Sequence, residues 1–342
     1  MNCGATMNRD LIQKNLVFEG GGVLIVLYAG ALTSIEQAGL LPQIKRAAGA
    51  STGAVMAMLV SLKLSAADIK RTLDDLDFSK IPQQYEGKPP RKWPLFEKLH
   101  EYIRSKIVCF RRLWTRYGYY SNEYFYNWLL TVVAKHTGNS RITFAEFRAR
   151  GFLDLHVVVT NVSKHSSVVF SADTTPDCAI ADAVRMSTAI PLYFEAMQFD
   201  GKKFGAGDYY CDGGFTNNYP LGLFDHDQYG VDNPYYDRGI NWETLGLFHR
   251  TAFDPTKTKP ITSLKTYMAN MMVAVTKAAD FNVIAGEVTH KRTIIMSDCG
   301  VQQTEFSMKP GDEKHALLFE TGRKAAEDYL AAFKLPEANI LA

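Results

Sequence analysis

Residues 16–53 read LVFEGGGVLIVLYAGALTSIEQAGLLPQIKRAAGASTG, and this stretch contains two glycine-bounded corners separated by one apolar segment. The first corner, Gly20-Gly21-Gly22, follows a short apolar run that predicts a buried strand. The second corner, Gly49-Ala-Ser-Thr-Gly53, precedes another apolar run, which predicts a helix. Strand, helix, strand and helix at this spacing predict parallel βαβ units and therefore an α/β fold.

Hydrophobic periodicity predicts the remaining elements. Residues 23–38 and 54–64 predict buried helices, and Ser65 predicts the N-cap of an exposed helix that ends near residue 76. Further predicted helices cover residues 122–134, 179–186, 262–284 and 313–333, and further predicted strands cover residues 155–160, 166–170 and 292–296. No internal repeat interrupts this order.

Ser51 lies at the centre of a Gly-x-Ser-x-Gly corner. Gly49 and Gly53 lack the Cβ atoms that would clash where the chain reverses so abruptly. The serine hydroxyl would then lie at the N-terminus of a helix, where the helix dipole favours developing negative charge. Such a corner is typical of a nucleophilic serine, whereas the alternative is a tight turn built from small residues.

The glycine triplet Gly20, Gly21 and Gly22 has three interpretations. Backbone N–H groups without side chains suit an oxyanion hole, which stabilises the negative charge of a tetrahedral intermediate. A nucleotide-binding loop is poorly supported, because no Gly-Lys-Ser/Thr ending follows and Ile25 stands where a dinucleotide-binding motif requires glycine. An ordinary turn is the third interpretation.

A nucleophilic serine needs a general base. Four histidines lie downstream, namely His226, His249, His290 and His315, but none lies in a recognisable turn. Asp212 follows the strand-like Tyr209-Tyr210 and precedes Gly213 and Gly214, so it is well placed at a strand end facing a cleft. The alternative for Asp212 is a plain Asp-Gly turn. An α/β-hydrolase is improbable, because there the nucleophile follows several strands.

Five motifs occur in the order FEGGGVL (18–24), YAGAL (28–32), GASTG (49–53), MSTAIP (186–191) and DGG (212–214). Over residues 16–221 this series resembles the bacterial branch of the patatin-like phospholipases. The resemblance implies a three-layer α/β/α sandwich with a mainly parallel central sheet. It also implies a dyad in which Ser51 is the nucleophile and Asp212 the base, with Gly20, Gly21 and Gly22 forming the oxyanion hole. The reaction would cleave a fatty acyl ester through an acyl-enzyme, without a metal or another cofactor.

The chain departs from the family pattern at two adjacent positions. The family motif ends in glycine, often preceded by Lys or Arg, whereas this chain has Leu24 and Ile25. Ile25 costs little if it lies inside the helix, but disturbs the N–H geometry if it lies in the loop. Arg185 and Ser187, in the family block before Pro191, are predicted to shape a loop beside the cleft.

Residues 88–116 contain nine basic and two acidic residues, a net charge of +7. The apolar residues recur at three- and four-residue steps and predict an amphipathic basic helix; they are Phe96, Leu99, Ile103, Ile107, Phe110 and Trp114. In one interpretation this apolar stripe packs on the core. In the other the segment docks on anionic lipid, and glutamate at Arg111 and Arg112 weakens that docking.

The chain of 342 residues, with 46% apolar composition, is predicted to have a patatin-like core at residues 14–225. That core carries the basic helical insertion at about residues 82–120, and the extension 226–342 is expected to pack on it. A net charge of +2 argues against a general nucleic-acid binder. Five scattered cysteines predict a reducing compartment and no metal site.

The sequence thus predicts a serine acyl hydrolase of the phospholipase A or lysophospholipase type. Its expected partners are a phospholipid or lysophospholipid substrate and, peripherally, an anionic membrane, and no activating protein is specified. We expect a cytoplasmic or membrane-peripheral location, which is compatible with leaderless secretion. The alternatives are a catalytically weakened patatin-fold binding or regulatory protein, a neutral-lipid lipase or esterase, and, with the least support, a nucleotide-binding protein.

Overall fold

The computed structural model describes residues 11–83, 107–250 and 286–333, together with residues 260–263, 266–268, 270–271 and 273–275. The described strands are β1 (Asn15–Phe18), β2 (Arg46–Ala50), β3 (Gly118–Tyr120), β4 (Asp154–Asn161), β5 (Ser166–Phe170), β6 (Leu192–Phe194), β7 (Met197–Phe199), β8 (Asp208–Asp212), β9 (Tyr236–Asp237), β10 (Ile240–Asn241), β11 (Thr244–Arg250) and β12 (Thr293–Ser297). The described helices are α1 (Ile25–Gln37), α2 (Thr52–Ser61), α3 (Ala66–Asp74), α4 (107–116), α5 (Glu123–Thr137), α6 (Phe144–Ala149), α7 (Ile180–Ser187), α8 (Gly214–Asn217), α9 (Glu287–Lys291) and α10 (Glu313–Ala332).

The central sheet has the strand order β12-β11-β1-β2-β4-β8-β7, and β5 also pairs with β4. The five strands from β12 to β4 run parallel to one another. Strands β5, β8 and β7 extend the sheet through antiparallel pairs. The predicted α/β fold with a mainly parallel sheet is confirmed.

Side chains of β1 alternate between two apolar layers. Leu16 and Phe18 pack into the large core that contains α1 and α2. Val17 faces the opposite layer, where it packs with Tyr219 and Phe224. Helix α8 lies on this second face, since Thr216 Oγ1 is 2.9 Å from Thr160 Oγ1 of β4. The sheet is therefore the middle of three layers.

Helix α1 is apolar on nearly all sides because other elements enclose it. Helix α10 crosses α1 at a close approach that depends on two glycines. A Cβ on Gly30 would lie 1.9 Å from Phe319 O, and a Cβ on Gly322 would lie 1.9 Å from Leu27 O. Helix α1 thus packs between the sheet and the C-terminal helix α10, and this explains why α1 has so little polar surface.

The chain after residue 225 contributes two strands to the same sheet. Strand β11 pairs in parallel with β1, and β12 pairs with β11. Only β12 was among the strands predicted from the sequence, so the strand beside β1 was missed. The predicted helix at 262–284 lies largely outside the described residues, and its described parts at 266–268, 270–271 and 273–275 are helical. The proposed domain limits stay a prediction.

The described part of the basic segment has its apolar stripe on the outside. Ile107, Phe110 and Trp114 are exposed, so the expectation that these three side chains pack on the core is wrong. Arg112 is instead buried, with its Nε 2.7 Å from Glu195 Oε1. Phe96, Leu99 and Ile103 lie outside the described residues. Among the described residues, none of the helices has the length and apolar character needed to cross a bilayer.

Candidate functional site

The sheet register brings Ser51 and Asp212 to the same level of the molecule. Ala50, the last residue of β2, pairs with Val158 of β4. Strand β5 pairs with residues 157–161 of β4 along the opposite edge. Strand β8 therefore shares an edge of β4 with β2, where the next residue, Val159, pairs with Asp212 at the end of the antiparallel β8. Ser51 follows Ala50 directly, so the end of β2 and the end of β8 face each other along one edge of β4, and this brings the two residues together.

Ser51 has an unusual backbone conformation, with φ +51° and ψ −130°. A non-glycine residue in such a region costs about 1–3 kcal/mol, and surrounding contacts must hold it there. The Ser51 N–H donates to Ser187 Oγ at 2.8 Å, and the Ser187 hydroxyl donates to Val158 O at 2.6 Å. Ser187 therefore fixes the backbone of the corner itself, a more direct part than the predicted shaping of a neighbouring loop.

The flanking glycines are required because neighbouring backbone passes too close to leave room for a Cβ atom, not because the corner must be flexible. A Cβ on Gly49 would lie 2.3 Å from the Gly53 carbonyl carbon, and a Cβ on Gly53 would lie 2.4 Å from Phe18 O. The corner is thus pressed against the end of β1. Because β1 leads directly into the glycine triplet, the triplet lies beside Ser51.

The Ser51 hydroxyl donates a hydrogen bond to Asp212 Oδ2 at 2.7 Å. The other carboxylate oxygen, Oδ1, accepts the Gly214 N–H at 2.7 Å. Asp212 is completely buried, and this burial raises its pKa from 3.8 to about 7, although both hydrogen bonds act to lower it. A carboxylate with a pKa near neutrality can both accept and return a proton at physiological pH.

The structure assigns the four histidines to other surroundings. His249 Nε2 is 3.2 Å from Gly20 O, and His315 Nε2 is 3.4 Å from Asp74 Oδ1. His226 and His290 are exposed. Asp212 is therefore the candidate base that the structure brings to Ser51.

The glycine triplet is held from two sides. The Gly20 N–H donates to Asn218 O at 3.1 Å, and the Gly21 N–H donates to Thr52 Oγ1 at 3.0 Å. Gly22 has φ +57°, and a Cβ there would lie 2.0 Å from Gln303 O. Since the Gly20 N–H is bonded to backbone, Gly21 and Gly22 are the better candidates for oxyanion donors.

A cluster of buried polar side chains holds the glycine triplet in position. The Glu19 carboxylate accepts the His249 backbone N–H at 2.8 Å and the Asn218 side-chain amide at 3.2 Å. The same Asn218 amide also donates to Gly20 O at 3.1 Å. A Cβ on Gly21 would lie 2.1 Å from His249 Nε2. Glu19, Asn218 and His249 thus fix the position of the triplet, a part that the sequence did not reveal for any of them.

Of the two departures from the motif, Ile25 lies in helix α1, whereas Leu24 lies in the turn that begins at Gly22. Ile25 is the first residue of α1 and is buried, and Leu24 lies in the buried 3-10 turn Gly22–Leu24. Ile25 therefore packs into the core as a helix residue.

A cavity of about 30 Å³ lies over the two side chains. Its lining consists of the glycine triplet, Ser51, Asp212, Asn218, Ile190, Tyr193, Val273, Gln303 and Thr304. This volume suits a group of the size of water but not an acyl chain. Among the described residues, no group of three His, Cys, Asp or Glu side chains is arranged to hold a metal ion.

Comparison with known proteins identifies the family. The family model "Patatin-like phospholipase" matches residues 16–225, more than half of the chain. The chain belongs to the patatin-like phospholipase family and is a lipid-hydrolysing enzyme of that family.

Relatives in viruses and bacteria extend the similarity. The chain is 24% identical to uncharacterized protein R571 of Acanthamoeba polyphaga mimivirus, over 93% of each chain. It is 23% identical to YqhO of Bacillus subtilis, over 86% of this chain and 97% of that protein. It is also 24% identical to the probable lipid hydrolase 463L of Invertebrate iridescent virus 6, over 61% of this chain and 62% of that protein.

Among solved structures, VipD from Legionella pneumophila is similar in fold. The TM-score is 0.56 at 20% sequence identity, and the match covers 94% of this chain and 67% of VipD. A match over 94% of the chain reaches beyond residues 16–225.

Proposed function

We propose that this chain hydrolyses fatty acyl esters of membrane phospholipids or lysophospholipids, with Ser51 as nucleophile and Asp212 as general base. The observation that carries the proposal is the 2.7 Å hydrogen bond between the Ser51 hydroxyl and a fully buried carboxylate. Burial gives that carboxylate a pKa of about 7, which suits proton transfer at neutral pH. Without such a base, a serine hydroxyl is a weak nucleophile.

In the first half of the reaction, Ser51 Oγ attacks the ester carbonyl carbon while its proton passes to Asp212. The carbonyl oxygen becomes an oxyanion, for which the Gly21 and Gly22 amides are the proposed donors. The Gly21 N–H exchanges its bond to Thr52 Oγ1 for one to the oxyanion. The bond to the leaving oxygen then breaks, that oxygen takes the proton from Asp212, and an acyl-enzyme remains.

In the second half, water attacks the acyl-enzyme. Asp212 accepts a proton from the water as the water oxygen bonds to the acyl carbon. The bond to Ser51 Oγ breaks, the serine recovers its proton from Asp212, and the fatty acid leaves. Asp212 therefore accepts a proton and returns it twice in each cycle, which requires a pKa that favours neither the protonated nor the ionised state strongly.

The test is the release of fatty acid by the purified protein, measured by mass spectrometry. The substrates are a diacyl phospholipid, a lysophospholipid, a triacylglycerol and a short soluble ester. We expect release from the first two, and loss of about 10⁴-fold or more in Ser51→Ala. Ser61→Ala is the matched control, since Ser61 is a buried serine at the other end of the same helix.

Release that persists in Ser51→Ala contradicts the assignment of the nucleophile. Release from triacylglycerol or the soluble ester alone favours the lipase or esterase alternative. Absence of release from every substrate favours a binding or regulatory protein on this fold.

A further inference from the structure

One side of α4 presents large apolar side chains to solvent. The exposed fraction is 62% for Ile107, 59% for Phe110 and 87% for Trp114, and Tyr117, just after the helix, is 52% exposed. Steps of three and four residues place these side chains on one side of the helix. We call these four residues the docking face. A contiguous exposed apolar face of this kind marks an interaction surface.

The opposite side of α4 fixes this orientation. Cys109 is buried, and Arg112 is buried in an ion pair with Glu195. The Arg112 guanidinium also donates to Tyr119 O at 3.4 Å. Turning the docking face inward would break this pair and leave a buried charge uncompensated, which is strongly unfavourable. The exposure of the docking face is therefore built into the fold.

The docking face lies close in structure to the cavity over Ser51. Helix α4 leads directly into β3, which pairs in parallel with β6, and Gly118 is opposite Leu192. Leu192 is itself 39% exposed, and the next residue, Tyr193, lines the cavity. One short pair of strands thus connects the exposed apolar surface to the wall of the candidate active site.

The segment that carries the docking face is positively charged. Residues 107–120 contain three arginines and neither Asp nor Glu. Arg111 is exposed, and Arg116 is 55% exposed and shares Glu195 with Arg112. Tryptophan and tyrosine favour the boundary between the headgroups and the acyl chains, and arginine favours anionic headgroups.

We propose that the docking face inserts into the surface of a bilayer that contains anionic lipid, with Arg111 at the headgroups. The proposal rests on the proposed function, because the ester substrate would lie in that same bilayer. Insertion there brings β6 and the cavity wall to the membrane surface. The arrangement differs from the interpretation in which Arg112 also contacts lipid, since Arg112 is buried.

The experiment measures binding of the full chain to sedimented vesicles of phosphatidylcholine, with and without phosphatidylglycerol. All proteins carry Ser51→Ala, so that hydrolysis does not alter the vesicles. We expect binding that strengthens with phosphatidylglycerol. We also expect a loss of about tenfold or more in Phe110→Ser/Trp114→Ser, because each removed side chain would otherwise be buried in lipid.

The matched control is Val231→Ser/Leu317→Ser, which removes two exposed apolar side chains elsewhere, 74% and 48% exposed. It should bind as the parent does. For the charge, Arg111→Glu should reduce binding to the anionic vesicles about tenfold, with little effect on phosphatidylcholine alone. Its control is Arg238→Glu, at a side chain that is 84% exposed.

Three results overturn the proposal: no vesicle binding by the parent, equal binding by the parent and Phe110→Ser/Trp114→Ser, or a dimer in sedimentation velocity that this double variant dissolves. The last result would assign the docking face to a second copy of the chain. Because binding is read on Ser51→Ala protein, a failure of docking is distinct from a failure of hydrolysis. With Ser51 restored, the double variant should hydrolyse monomeric lysophospholipid as the parent does and lose activity on vesicles.

Discussion

Replacing Asp212 by asparagine should stabilise the folded protein at alkaline pH while it removes the proposed base. Burial raises the pKa of Asp212 from 3.8 to about 7. One pKa unit corresponds to about 1.4 kcal/mol, so keeping this carboxylate ionised in the folded state costs roughly 4 kcal/mol above pH 7. An asparagine Oδ1 can still accept the Gly214 N–H, and its amide can donate to Ser51 Oγ.

The sign of the effect depends on pH. A raised pKa means that the folded state binds the proton more tightly than the unfolded state does. The free energy that the folded state loses by keeping Asp212 ionised is therefore fully present above the folded pKa. It disappears as the pH falls from about 7 towards 3.8. We expect Asp212→Asn to be more stable than the wild type by about 2–4 kcal/mol near pH 8.5, and by about 1 kcal/mol near pH 4.5.

The assay is urea unfolding followed by circular dichroism at both pH values. Asp177→Asn serves as the control, since it removes an exposed carboxylate. A stability difference between Asp212→Asn and the wild type that is the same at both pH values would refute the reasoning. So would a variant that is less stable than the wild type near pH 8.5.

Three further substitutions test the framework around the site. Ser187→Ala removes the acceptor of the Ser51 N–H; we expect kcat to fall about tenfold to a hundredfold in fatty acid release, and an unchanged kcat would remove Ser187 from the positioning of the corner. His249→Ala removes the ring against Gly21 and should lower kcat with little change in KM, whereas a change in KM alone would speak against a role in the oxyanion loop. Gly322→Ala places a Cβ 1.9 Å from Leu27 O and should lower the free energy of unfolding by about 1–3 kcal/mol in urea unfolding. A stability equal to the wild type would show that α1 and α10 can separate without cost.

Local patterns in the sequence predicted the βαβ start of the fold, and the resemblance to the patatin-like phospholipases implied the candidate pair Ser51 and Asp212. Ser51 lies in a corner whose glycines are needed for close packing, and Asp212 lies in its own glycine-flanked motif. The residues that support the site were not predictable in the same way. The motif that contains Ser187 predicted a place beside the cleft, but its hydrogen bond to the Ser51 N–H spans 136 positions of sequence, and no local pattern specifies that bond.

His249 is a second residue whose contacts the local sequence does not reveal. Its residue type alone makes it a candidate base, yet its ring lies against the glycine loop. The stripe on α4 shows a further limit. An apolar period of three and four residues indicates that a helix has an apolar side, but only tertiary packing decides whether that side faces the core or solvent. Here the buried pair of Arg112 and Glu195 decides it.

The most direct test of the central claim is the pH dependence of covalent labelling by a fluorophosphonate. If Ser51 shares its proton with Asp212, the adduct should form on Ser51, as peptide mass spectrometry can show. The labelling rate should rise with pH through a midpoint near the Asp212 pKa of about 7, and it should fall strongly in Asp212→Asn. An adduct on another residue, or a rate on Ser51 that is indifferent to pH and to Asp212→Asn, would contradict the account.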